Sequence, residues 1–390
     1  MLRERIIEIY LFLFRVIFNL FRPFSLKKRI VFLSSFGHNN QYVYERMKAM
    51  NVEEWEVIFL QKPSCSVDFY QYQQDKNVKI LKFETFNLYQ MIMSIYYLST
   101  SKRIFIDNYF GFLSAVTFKA DVQCVQLWHA AGAIKTFGLK DESVLNRSEI
   151  AKKRFLKVYA NFDKVVVGSD AFADIFTKAF NLAPENILYT GIPKTDLFFN
   201  EKKMTTIRKR LYKENDLLKN KKVILYAPTY RDYELNNFST KLDIHKMYQE
   251  LGDEYRLIIK AHPAVKNMQG LQNLYPEFVF DYSYYKDIND LLLITDILIS
   301  DYSSIPYEFS LLKKPMIFYP YDLDQYTKDR GIWSKYEEMV PGPVYFSTKE
   351  IIACIKEGNY NMDQIQKFSS TWNRYSNGQS SENLIKELIL

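Results

Sequence analysis

Residues able to do chemistry gather where apolar runs of this chain end. His129 follows Val125–Trp128 and is trailed by Ala130, Ala131, Gly132, Ala133 and then Lys135. An imidazole titrates near neutral pH and can take a proton from a reacting hydroxyl. Glycine allows close approach of a backbone, and lysine neutralises an anion. Further on, Thr229, Arg231 and Asp232 follow ILYAP, His262 follows LIIKA, and Asp301, Ser303 and Ser304 follow DILIS. A helix is expected to start at once with IPYEFSLL, which would aim free N–H groups and a favourable dipole at a phosphate near Ser303 and Ser304. The other two histidines read differently, His38 in a loop after the first strand and His245 inside a helix. Each feature has a plainer alternative. A strand-end histidine can be structural, Asp301–Ser304 is a good helix N-cap, and Arg231 with Asp232 can be a surface ion pair of little energy. Their joint placement favours a phosphate-handling transferase.

Such a site needs a scaffold that places strand ends together. Short apolar runs supply it: RIVFLSS (29–35), WEVIFLQ (55–61), VKILKF (78–83), RIFID (103–107), VQLW (125–128), KVVVG (164–168) and ILYTG (187–191). Helical segments such as Leu88–Leu98 and Ala171–Phe180 lie between them. After a charged stretch, Glu201–Lys222, a second series follows: VILYAPT (223–229), RLIIKAH (256–262), FVFDYS (278–283), DILISD (296–301) and PMIFYPY (315–321). Near-continuous apolar strands separated by helices indicate parallel sheets covered on both faces. The expected fold class is therefore α/β, with two Rossmann-like domains facing a cleft and ligands beyond the carboxyl ends of the strands. The expected boundaries are an N-terminal helix at 1–26, a first domain at 27–200, a linker at 201–222, a second domain at 223–370, and a C-terminal helix at 371–390 that packs back on the first domain.

Composition sets limits. The 390 residues include 30 Tyr and 30 Phe, and the formal charge of +7 suits an anionic ligand or lipid surface without being a nucleic-acid signature. Cys65, Cys124 and Cys354 are far apart, which argues against a disulfide framework or a structural zinc. The N-terminus, MLRERIIEIYLFLFRVIFNLFRPF, has no apolar run approaching the ~20 residues of a membrane span, and no cleavage site follows. On a helical projection Glu4, Glu8, Arg15, Asn19 and Arg22 share a narrow stripe with Leu11 and Phe18. The stripe indicates an interfacial helix with Arg22, Lys27, Lys28 and Arg29 near anionic headgroups. The alternative is a helix packed on the protein's own surface.

WHAAGAIKTFG (128–138), GIPKTD (191–196), LYAPTYRD (225–232), KAHP (260–263) and SDYSSIPYEFSLLKKPMIFYPYDLDQYTKDRG (300–331) together resemble the CDP-glycerol glycerophosphotransferase family of wall teichoic acid synthesis. The HAAGAIKTFG form is similar to the TagB/TarB-type glycerol-phosphate primases, whereas the family's polymerases more often carry an HGTP-like segment. The resemblance implies a GT-B fold. It implies His129 as base and His262 at the donor phosphate, with Thr229, Arg231, Asp301, Ser303, Ser304 and Glu308 around CDP-glycerol. Gly132 and Lys135 would serve the acceptor, an undecaprenyl-diphosphate-linked disaccharide. It further implies no cofactor or required metal, a peripheral position on the cytoplasmic face of the membrane, and no nucleic-acid partner. A homo-oligomer is compatible. A nucleotide-sugar glycosyltransferase of the same fold and a poly(glycerol or ribitol phosphate) polymerase are the competing readings.

Overall fold

The computed structural model describes residues 2–144, 146–229, 231, 240–261 and 269–390. All twelve apolar runs form strands, each within a few residues of its expected span: β1 (Lys27–Ser34), β2 (Glu56–Gln61), β3 (Val78–Lys82), β4 (Ser101–Ile106), β5 (Gln123–Gln126), β6 (Lys164–Val166), β7 (Ile187–Leu188), β8 (Lys222–Ala227), β9 (Tyr255–Ile259), β10 (Val279–Asp281), β11 (Ile297–Ser300) and β12 (Met316–Phe318). They make two sheets, ordered β3-β2-β1-β4-β5-β6-β7 and β10-β9-β8-β11-β12. Every recorded pairing within the sheets is parallel. In each sheet the order reverses beside the first strand of the series, between β1 and β4 and between β8 and β11. Adjacent loops diverge at such a reversal and leave room for a ligand.

Continuous apolar strands are explained by what covers them. Ile30, Val31, Phe32 and Leu33 of β1 are fully buried, as are Ile224 and Leu225 of β8. Phe32 sits in register with Phe59 on β2 and Phe105 on β4. The three rings stack at 5.4 and 5.3 Å, and Phe69 lies on Phe59 at 4.2 Å. Much of the aromatic excess is thus core.

The chain divides into two compact units whose boundaries differ from the expected ones. The first holds Met1–His129, Phe137–Asp196 and Arg374–Leu390, and the second holds Ala130–Thr136 and Leu197–Asn373. The expected linker is instead the helix Glu201–Glu214 of the second unit. It buries Met204, Ile207 and Leu211, donates from Arg208 Nε to the Leu293 carbonyl (3.2 Å), and pairs Arg210 with Asp290. The C-terminal helix Ser380–Leu388 belongs to the first unit, where Asp196 accepts the N–H groups of Ser380 and Ser381, both at 2.9 Å. His38, expected in a loop, opens the helix His38–Ala49, while His245 lies in the helix Ile244–Leu251.

The N-terminal helix Leu2–Phe21 packs one side on the first unit. Phe14 and Phe18 are buried there, with Phe14 stacked on Phe112 at 4.7 Å. Part of the polar stripe serves the same contact: Glu4 pairs with Arg154 (3.0 Å), and Arg15 Nε donates to the Ala115 carbonyl (3.2 Å). Among the described residues, no helix is long and apolar enough to cross a membrane. Of the basic residues expected beside it, Arg29 is diverted into the fold, whereas Lys28 stays exposed in a surface ion pair. Lys28 pairs with Glu54 (2.5 Å). Arg29 is only 2% exposed, with Nε and Nη2 on Glu56 Oε2 (2.8 and 2.6 Å), Nη1 on Thr100 Oγ1 (2.7 Å) and the Tyr97 ring 4.6 Å away. Arg29 is a core cation, not a headgroup contact. Replacing Arg29 by Met should lower stability by about 2 kcal/mol, because the partly exposed Glu56 loses one of its two cationic partners and keeps only Lys79 (2.7 Å). The shift of the urea midpoint checks this.

Candidate active site

In the first unit the site is built around a backbone forced out of its strand. After β5 the chain makes a sharp turn in which Trp128 takes φ +54°, a left-handed conformation that bulky side chains avoid. Such strain costs roughly 1–3 kcal/mol and persists only where neighbours over-determine it. Asn39, buried at the start of the helix after β1, donates from Nδ2 to the carbonyls of Leu127 (3.2 Å) and Trp128 (2.8 Å). Its Oδ1 accepts the Lys194 N–H (2.9 Å), and Lys194 Nζ reaches the His129 carbonyl (2.8 Å). Gln126 Oε1 takes the Trp128 N–H (2.8 Å). Three successive carbonyls, 127 to 129, are therefore held by two side chains.

This clamp fixes the imidazole. The half-buried His129 ring is stacked between Phe36 (4.2 Å) and Trp128 (4.5 Å), and Nδ1 lies 3.2 Å from the Asp107 carbonyl. A carbonyl can only accept, so Nδ1 carries the proton and the basic lone pair is on Nε2. The Asp107 side chain, fully buried just past β4, accepts N–H bonds from Ser35 (2.8 Å), Phe36 (2.9 Å) and Gly37 (2.6 Å). Gly37 needs its glycine: φ is +95°, and a Cβ would lie 2.9 Å from Cys65 Sγ and Val67 Cβ. Burial pushes the Asp107 carboxyl up to about 6, against the pull of the three N–H bonds toward the ionised form.

The second unit repeats that device. Asp301, one residue past β11, accepts the N–H groups of Thr229 (2.8 Å) and Tyr302 (2.7 Å) on Oδ1, while Oδ2 receives Arg231 Nη1 (2.8 Å). Arg231, expected as a phosphate clamp, is 3% exposed and committed to the protein itself. Its Nε and Nη2 take both oxygens of Asp322 (2.9 and 2.8 Å), and Nη1 also reaches the Thr229 carbonyl. The Tyr302, Tyr321 and Tyr326 rings surround it at 4.9–5.0 Å. Burial acts to raise the Asp322 carboxyl, but the bonds from Arg231 and Tyr302 hold it below the ordinary carboxylate value. Arg231 and Asp301 thus brace the loop; they do not project to a ligand.

Two further expectations change in the same way. Glu308 is 2% exposed and accepts the Ala131 N–H on Oε1 (3.1 Å), so it caps the Ala130–Thr136 segment and is not open to a ribose. Gly132 makes its close approach to Tyr307, whose ring atoms would lie 2.2–2.6 Å from a Cβ, and not to an acceptor. Lys135 is exposed, and its backbone bridges Ile332. Ser303 and Ser304 are half-buried, ahead of the short helix Ile305–Phe309. Ser303 Oγ accepts the Ile305 N–H (3.3 Å), whereas the Ser304 side chain makes no cap bond. Thr229 Oγ1 is buried and makes no hydrogen bond among the described residues. His262 and Asp232 lie outside the described residues. Cys65, Cys124 and Cys354 form no disulfide, and no group of three metal-ligating side chains is formed among the described residues. Asp107, Asn39 and Lys194 were missed as site residues. Asp107 ends the fourth apolar run and fell under the strand-end rule, and Lys194 lies within the GIPKTD motif; Asn39 carried no signal of its own.

One reversal of strand order in each sheet, a strand-end imidazole, and serines at a helix start define a transferase-type α/β architecture. The chain belongs to the CDP-glycerol:poly(glycerophosphate) glycerophosphotransferase family, whose profile matches residues 14–390. It is 33% identical to the teichoic acid glycerol-phosphate primase of Bacillus subtilis over 98% of this chain and 97% of that one. It is 34% identical to the teichoic acid poly(ribitol-phosphate) polymerase of Bacillus spizizenii, covering 97% of this chain but spanning only 59% of that relative's length. A solved structure of the wall teichoic acid polymerase TagF has the same fold, with a TM-score of 0.79 at 24% identity over 97% of this chain and 94% of that one.

Two outcomes follow from the geometry. Gly132→Ala should cost about 2 kcal/mol through the clash with the buried Tyr307 ring, read as a drop in thermal midpoint. For Asp107 the folded-state value of about 6 lies above the 3.8 of an ordinary carboxyl. Its contribution to stability is therefore fully present below the unfolded value and is lost as pH rises through the folded one. The difference in urea midpoint between wild type and Asp107→Asn should change between about pH 4 and 7 and be constant above about pH 7.5.

Proposed function

We propose that the protein transfers one glycerol 3-phosphate from CDP-glycerol to the ManNAc of a ManNAc-GlcNAc-diphospho-undecaprenol, at the cytoplasmic face of the membrane, and releases CMP. The observation that carries this reading is the fixed tautomer of His129: with Nδ1–H on the Asp107 carbonyl, Nε2 presents the lone pair that a general base requires. The acceptor hydroxyl oxygen attacks the β-phosphorus of CDP-glycerol, its proton passes to Nε2, and the bond to the CMP oxygen breaks. Ser303 and Ser304 contribute hydroxyl and backbone N–H groups to the donor phosphates. The positive charge of Lys135 suits the diphosphate of the acceptor. His262 retains its role at the donor phosphate as an expectation from the motif alone.

Single addition is favoured by the HAAGAIKTFG segment and by the primase relative that matches over nearly its whole length. The comparable identity to a polymerase keeps repeated addition of glycerol or ribitol phosphate as the second reading. Incubation with CDP-glycerol and the lipid-linked disaccharide, followed by mass analysis, separates them. One added glycerol phosphate is expected, and a ladder would assign the chain to the polymerases. His129→Ala should lower turnover by roughly 10²–10⁴ with CDP-glycerol binding by calorimetry retained. Loss of donor binding in that variant would contradict its role as base.

A further inference from the structure

Beyond the carboxyl ends of β4 and β5 the first unit holds a cavity of about 180 Å³. Its floor is buried and aromatic: Tyr159 and Phe180 stack at 4.5 Å, and Phe162 lies 5.4 Å from Phe180. The half-buried rings of Tyr109, Trp128 and Phe155 form its walls, Tyr109 three residues past β4 and Trp128 two past β5. Walls and floor are one network of rings, in which Phe180 meets Trp128 at 5.6 Å and Tyr109 meets Phe155 at 5.3 Å. Trp128 is also the ring on which His129 stacks, so whatever fills the cavity sits beside the base. The rim is polar. Asp141, Ser143 and Arg147 line it, with the Arg147 guanidinium 5.3 Å from the centre of the Phe155 ring. Asp141 Oδ1 accepts the Ser143 N–H (2.8 Å), which holds those two rim residues together.

The make-up of the cavity selects its occupant. An apolar interior with a few polar groups at one edge suits a ligand whose body is apolar and whose edge hydrogen-bonds. A bare phosphate would set a charged group against six aromatic rings with a single cation to meet it. An isoprenoid segment would make no use of Asp141, Ser143 and Arg147. A pyranose uses both zones, because its C–H faces lie against aromatic rings while its hydroxyls exchange hydrogen bonds with a carboxylate, a hydroxyl and a guanidinium. A 2-acetamido group adds a methyl for the floor and an amide for the rim. We propose that this cavity seats the terminal acetamido sugar of the acceptor, with the acetamido methyl on the Tyr159, Phe162 and Phe180 floor and a ring hydroxyl delivered to His129. The proposal rests on the reading of the protein as a transferase acting on a lipid-linked acetamido sugar. It assigns acceptor specificity to Phe155, Ser143 and Arg147.

Initial rates of the full chain with CDP-glycerol test this, using a short-chain, soluble diphospho-disaccharide whose terminal sugar carries either a 2-acetamido or a 2-hydroxyl group. The wild type should show a KM at least about tenfold lower for the acetamido acceptor, which is the discrimination a methyl-sized group in an apolar pocket supplies. Phe155→Ala should raise the KM of the acetamido acceptor roughly tenfold and erase the preference, with the KM for CDP-glycerol unchanged. Ser143→Phe puts a ring into the cavity and should raise the KM of both acceptors, again with the donor KM and the thermal midpoint unchanged. Equal KM values for the two acceptors in the wild type would overturn the proposal. So would a folded Ser143→Phe variant that keeps the wild-type acceptor KM. Calorimetry of the acetamido acceptor without donor separates the two readings. Acetamido-dependent binding that Ser143→Phe abolishes, with no turnover of CDP-glycerol by the wild type, would defeat the transferase reading alone. Turnover that is indifferent to the acetamido group and to both substitutions would defeat the sugar seat alone.

Discussion

A buried carboxylate just past a central strand, tied to the backbone N–H groups of the loop beyond the neighbouring strand, organises both halves of this protein. Asp107 does this for residues 35–37 and Asp301 for residues 229 and 302. Parallel strands end with unsatisfied N–H groups where the sheet order reverses, and buried N–H groups must find acceptors. A carboxylate meets several at once. The loop geometry that results decides which side chains can reach a substrate. In the first unit it stacks Phe36 on His129 while the Asp107 carbonyl selects the imidazole tautomer. In the second it draws Arg231 inward.

The two units use this device to different ends. Around His129 the protein accepts a strained Trp128 backbone and surrounds it with hydrogen bonds from Asn39, Gln126 and Lys194. Strain held in this way marks a place where geometry matters more than local comfort. Around Arg231 the opposite holds: charges are paired, rings enclose the guanidinium, and the loop is made rigid. A cation caged by three tyrosines and two carboxylates is a bracing element. What such a loop offers a ligand is a fixed backbone and the half-buried Ser303 and Ser304.

Aromatic residues also divide into two uses. The stacked Phe59–Phe32–Phe105 ladder and the tyrosine cage are interior, and they account for chains of contacts that sequence spacing alone does not reveal. On the Leu2–Phe21 helix the same residue types face both ways. Phe14 and Phe18 hold the helix to its unit, and Phe12 lies on the exposed side. Packing against the protein and presenting an apolar surface, which look like alternatives in the sequence, are compatible because a helix has more than one side.

The sequence by itself determined the twelve strands, the parallel character of both sheets and the strand-end position of His129, Asp107 and Asp301. These depend on local periodicity and on the rule that parallel strands run buried from end to end, so a few neighbouring residues carry the information. Only the tertiary structure decided what each polar group faces. Arg231 meets Asp322 across 91 positions, Lys194 meets His129 across 65, and Asn39 meets Trp128 across 89. A cation or carboxylate at a strand end reads the same whether it points to a substrate or to a partner far along the chain. The assignment of 130–136 to the second unit and of residues 201–214 to a packed helix was equally out of reach, since domain membership is a sum of long-range contacts. Burial, which converts a polar residue from a ligand contact into a structural brace, is a property of the folded chain and has no local signature.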